Sequence, residues 1–216
     1  ITNEAEIPSI IYQTFSTLGL KRFQIRVNNR KILNGFYALL GLTEKSADVM
    51  RTVDKLDKIG PEKVKTILAP RFAPTCSKPL IDGLGKLAAK YHCGVHTHLV
   101  ESLWEAQEAL NLFPGYGSDA EIYERAGLMD HGPSIFAHVI FPTEEDKRIL
   151  KKHGSFSVHC PDATVNIIAG IMPLQHMEAE GLKIAMGTDI AGGHGIGIYR
   201  QVARAVQLSK LKEFYE

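Results

Sequence analysis

The chain has 216 residues, 44% hydrophobic and 23% charged, the balance of a globular protein with a real core in one large or two small domains. Its formal net charge of +1 gives no electrostatic case for nucleic acid or a membrane surface as main partner, and no apolar run is long enough to span a bilayer. Three widely spaced cysteines, Cys76, Cys93 and Cys160, with no CxxC pair, argue against a disulfide framework and for a reducing, cytoplasmic setting.

The chain changes character near residue 65. The first 65 residues carry 11 Lys+Arg against 7 Asp+Glu, and the remainder carries 14 against 17. All nine histidines lie at or after His92. This break predicts two domains, 1–65 and 66–216. The chain begins at Ile1 and stops within a helix-like run, "VARAVQLSKLKEFYE", which reads as a fragment or an engineered chain.

In the first segment "AEIPSIIYQTFSTLGL" spaces Ile7, Ile10, Ile11, Phe15 and Leu18 as a helix, with Gly19 as a stop. "RFQIRVNN" alternates Phe23, Ile25 and Val27 as a half-buried strand. "RKILNGFYALLGL" and "SADVMRTVDKLDKIG" return to helical spacing, with Ser46 a candidate N-cap. The second segment alternates strand and helix. The strands are "VKTILAPRF", "CGVHTHL", "PSIFAHV", "SFSVHC" and "LKIAMGTD". Between and after them lie the helices "KPLIDGLGKLAAKY", "SLWEAQEALNLF", "SDAEIYERAGL", "TEEDKRILKKHG", "GIMPLQHMEAEG" (broken or begun at Pro173) and "GIYRQVARAVQLSKLKEFY". The fold class is therefore α/β: a partial (β/α)8-type barrel of about five parallel βα units, preceded by a small α-β-α-α segment. Such a sheet lacks the strands that would close an eight-stranded barrel, so a homo-oligomer or a complementing chain is expected.

Polar residues recur at the C-terminal end of each strand of the second segment: Arg71, His98, His138, His159 and Asp189. Strand C-termini face the ligand site in parallel α/β folds. Any one of these histidines alone reads as a hydrogen-bonded strand end; five repeats of the placement point to a site. Neutral imidazoles and a carboxylate suit zinc or iron with a position open for water. Cys160 neighbours His159 and so points to the other face. Glu101, three residues after His98, can reach the site as a proton shuttle; taken alone it reads as a first-turn acid favoured by the helix dipole. His96 leaves the same face as His98 and reads as a site-lining or packing histidine.

"ILAPRFAPTCS", "THLVES", "FAHV", "VHCPDATVNI" and "MGTDIAGG" together resemble the guanine deaminases of the amidohydrolase superfamily, from about Thr66 to Glu216. The resemblance implies His98 and His138 as metal ligands, Asp189 as a metal-bound general base, Glu101 as proton shuttle, and Arg71 and Phe72 as the purine clamp. It implies hydrolytic deamination of guanine to xanthine on zinc, iron being the alternative metal. That family also carries an HxH metal pair early in the barrel, and residues 1–65 contain no histidine. From about Ala5 to Val64 the chain instead resembles histidyl-tRNA synthetase, without the arginine motifs that grip ATP and histidine. The sequence thus reads as a composite. The expected function is an impaired guanine deaminase acting on a purine. The alternative is a non-catalytic chimeric or fragment scaffold. RNA binding by the synthetase-like segment is the weakest reading, since that segment has no basic stripe with interleaved aromatics.

Overall fold

The structure, a computed structural model, describes Thr17 and residues 65–215. The helices and the strand expected before residue 65 lie outside the described residues. The chain divides into two compact units, Ile1–Ala69 and Pro70–Glu216. The described end of the first unit holds a short strand, β1 (Ile67–Leu68), both residues buried.

The second unit alternates strands and helices. Its strands are β2 (Gly94–Leu99), β3 (Ser134–His138), β4 (Phe156–His159) and β5 (Lys183–Met186). They lie side by side in chain order, every ladder parallel. Its helices are α1 (Lys78–Tyr91), α2 (Leu103–Leu112), α3 (Asp119–Arg125), α4 (Glu144–Lys152), α5 (Pro161–Asn166), α6 (Leu174–Ala179) and α7 (Ile198–Tyr215). Five strands with intervening helices make this an α/β fold of the partial-barrel kind expected.

The helices start where the sequence supplies caps. The side chains of Ser77, Ser102, Ser118 and Thr143 each accept an N–H from the first turn of α1, α2, α3 and α4. At α4 the Asp146 carboxylate also reaches back to the Thr143 N–H, completing a capping box. The core packs Phe136 of β3 against Tyr123, and Leu80, Ile81, Ile122 and Ile149 are likewise essentially inaccessible to water. Gly85 permits α1 to come close to the end of α3: a Cβ there would lie 1.6 Å from the Ala126 carbonyl oxygen.

Two expectations are corrected. The strand read from "VKTILAPRF" is confined to Ile67–Leu68, because Pro70 has no N–H to give a ladder and disfavours helix or regular pairing around it. A helix not expected, α5, begins at Pro161 directly after β4; proline at the first helical position loses no hydrogen bond. A 3-10 turn, Ala73–Thr75, likewise follows Phe72.

Candidate active site

Strand β2 sorts its side chains by alternation. Val95, Thr97 and Leu99 are buried, while His96 and His98 are half-buried on the other face. The Arg71 carbonyl fixes the end of this strand. It accepts the His98 N–H at 3.2 Å, the Thr97 hydroxyl at 3.0 Å, and the His98 ring at Nδ1, 2.6 Å away. A carbonyl can only accept, so Nδ1 carries a proton and, in the neutral ring, Nε2 is the nitrogen with the lone pair. That is the outer hydrogen bond that commonly orients a metal-binding imidazole.

The register pairs Leu99, and not His98, with His138. Simple alternation along β3 would send His138 to the face opposite His98. The backbone at His138 is left-handed, φ +74°, and turns the ring back. The two imidazoles stack with centroids 5.1 Å apart and planes 20° from parallel. His138 Nε2 lies 3.4 Å from Glu101 Oε1, while its buried Nδ1 has no partner. Donor atoms of His98, Glu101 and His138 all lie within 4.8 Å of one another. Burial first, then the neighbouring His98 and His159, holds the His138 ring neutral, down to about 3. Burial also raises the Glu101 carboxyl; His98 and Arg71 pull it down and Asp189 pushes it up.

Phe72 and Arg71 extend the row of rings. Phe72 meets His98 edge-on at 6.2 Å, and the Arg71 guanidinium sits 5.0 Å from the Phe72 ring centre. His159 ends β4 beside these groups in the chain order of strands. It is buried, both ring nitrogens lack a partner, and burial lowers it to about 4. Asp189 lies past the end of β5, exposed, with φ +43°. It does not join the three donors above, although its charge acts on Glu101 and on Cys160. Its carbonyl accepts the Gly192 and Gly193 N–H groups, and a Cβ at Gly192 would stand 2.5 Å from Asp189 Oδ2. Cys160 is buried and pushed up to about 12, chiefly by burial.

Two buried acids that sequence reasoning passed over stand behind Glu101. Glu105 Oε2 accepts the Glu101 N–H at 2.9 Å, and Asp119 Oδ2 accepts the Val100 N–H at 3.3 Å. Ser102 and Glu105 have the spacing of a capping box, which hides the acid as an ordinary helix start. The carboxylate instead bonds one residue beyond the cap.

The donor set fits a metal that takes nitrogen and oxygen: one imidazole with its tautomer fixed, one neutral imidazole with an orphaned nitrogen, and a carboxyl between them. Parallel strands with these groups at their C-terminal ends are the arrangement of a barrel-type α/β fold that places its ligand site at the strand ends. The chain belongs to the amidohydrolase family, whose model matches residues 15–214.

Guanine deaminase from Rattus norvegicus is 27% identical over 170 residues, 78% of this chain and 37% of that protein. A guanine deaminase from C. acetobutylicum, solved with guanine bound in its active site, superposes with a TM-score of 0.77 at 28% identity, over 98% of this chain and 57% of that one. An adenosine deaminase from Xanthomonas campestris, solved with bound zinc, shares the fold with a TM-score of 0.64 at 20% identity, over 78% of this chain and 38% of that one. The chain thus spans little more than a third of the curated relative's length. A separate stretch of 65 residues, 30% of this chain, is 52% identical to histidine–tRNA ligase from Clostridium tetani and covers 15% of it, consistent with a composite chain.

Proposed function

We propose that the chain is a metal-dependent aminohydrolase that converts guanine and water to xanthine and ammonia, slowly when it acts alone. The observation that carries this reading is the stacked pair His98 and His138 with Glu101 Oε1 3.4 Å from His138 Nε2. His98 and His138 would hold the metal, with Asp189 as a third ligand and general base. Zinc bound there, or iron, would supply Lewis acidity toward a water molecule. Glu101 takes a proton at Oε1 and passes it to the departing amino group; its raised affinity for protons suits that task. Phe72 offers a flat apolar face to the purine and Arg71 hydrogen-bond donors at its rim.

Activity is low in this reading because residues 1–65 hold no histidine to supply the HxH metal pair that the guanine-deaminase resemblance implies. A second copy or a complementing chain would supply the rest of the site. A cytoplasmic location is supported by three buried cysteines with no disulfide among them. A second reading, a composite chain without catalysis, is favoured by the synthetase-like stretch and by the exposed position of Asp189.

The test is xanthine production from guanine by zinc-loaded protein. Slow turnover is expected, falling by roughly a hundredfold in Glu101→Gln with zinc still bound. No xanthine from the zinc-replete parent selects the non-catalytic reading.

A further inference from the structure

The end of β2 is an awkward piece of chain. Val100 is buried and β-branched, yet its φ is +43°, where a side chain crowds the following carbonyl. Nothing in its own sequence favours that conformation, so surrounding contacts must impose it. The Val100 carbonyl accepts two N–H groups from the loop after β3, Ile140 at 3.2 Å and Phe141 at 3.1 Å. Its N–H, and that of Glu101, point the other way, into the buried layer under α2 and α3. There the Asp119 and Glu105 carboxylates receive them.

These two acids are costly to bury. Glu105 is 3% exposed and Asp119 2%. Glu105 Oε1 and Asp119 Oδ1 have no hydrogen-bond partner, and no cation pairs with either group among the described residues. Helix capping does not require the Glu105 carboxylate, since Ser102 Oγ already accepts the Glu105 N–H at 3.1 Å. Side chains kept at such expense are held for what their bonded oxygens do.

From this geometry we infer that Glu105 and Asp119 are positioning residues, a carboxyl clamp that locks the left-handed turn at Val100 and so aims Glu101 at His138. The inference rests on the proposed role of Glu101 as proton shuttle. Without the clamp the turn relaxes toward ordinary backbone and the Glu101 carboxyl leaves its place beside Nε2. The hydrogen bonds of both carboxyls go to backbone N–H groups, so their part is to hold the chain in place.

Two variants of the full chain separate the clamp from simple packing. Glu105→Gln keeps an acceptor for the Glu101 N–H, and Glu105→Leu fills the space without one. Amide exchange is followed residue by residue at Val100 and Glu101, in zinc-free and zinc-loaded protein. The Glu101 amide should be protected in the parent and in Glu105→Gln, and exchange roughly ten- to a hundredfold faster in Glu105→Leu. In zinc-loaded protein Glu105→Leu should lower kcat about tenfold with KM and zinc content unchanged, and Glu105→Gln should restore it. Absence of turnover in the parent sinks the deaminase reading, while amide exchange still decides the clamp. If Glu105→Leu fails to fold, parental exchange decides alone. A Glu101 amide that exchanges freely in the parent, or a Glu105→Leu variant matching the parent in exchange, overturns the inference.

Discussion

At the scale of single residues, the buried carboxyls set how stability responds to pH. Burial, chiefly, lifts Glu105 from 4.5 to about 7. Between those values the folded chain holds a proton that the unfolded chain has released, so this group makes stability fall as pH rises through the window. Glu105→Gln carries no such proton in either state. Its stability relative to the parent should therefore rise from pH 4.5 to 7.5, by up to roughly 3 kcal/mol. Urea midpoints at the two pH values read this directly, and a constant difference would contradict it. The convergence of His98 and His138 was legible because each ends an apolar strand-like run; Asp189, read in the same way, stays outside the three donors. The Arg71 carbonyl bonds, the turned ring of His138 and the Glu105 clamp were not legible. Each depends on burial or on a left-handed backbone, which residue type and spacing do not encode.

At the scale of elements, the strands from β2 onward followed from short apolar runs and the longer helices from helical spacing, with serine or threonine marking most described helix starts. Helix α5 escaped because six residues, PDATVN, do not complete two turns and show no apolar stripe. Its end carries a correctable flaw. Ala169 N–H bonds back to the Thr164 carbonyl at 3.0 Å, the wrap of a helix stop that wants glycine at Ile168. Ile168 adopts φ +58° and is 90% exposed, so its side chain adds strain and little burial. Ile168→Gly should stabilise the protein by about 1 kcal/mol in chemical denaturation. A loss of stability would show that Ile168 is covered by something its exposure does not reveal.

At the scale of the whole molecule, apolar groups that normally find partners stand in water. The β5 strand has no fully buried residue, and Ile196, Tyr199, Phe214 and Tyr215 near and along α7 are each at least 79% exposed. Exposed apolar surface of this kind drives association. Light scattering should give a mass above 23.9 kDa that rises with concentration, and a monodisperse monomer throughout would contradict this. The catalytic reading presupposes that His98, His138 and their neighbours hold a metal. Calorimetric titration of the metal-stripped, intact chain with zinc addresses that most directly. The expected result is one zinc per chain, with affinity reduced at least about tenfold in His98→Ala. No zinc uptake under replete conditions, or uptake unchanged by His98→Ala, would contradict it.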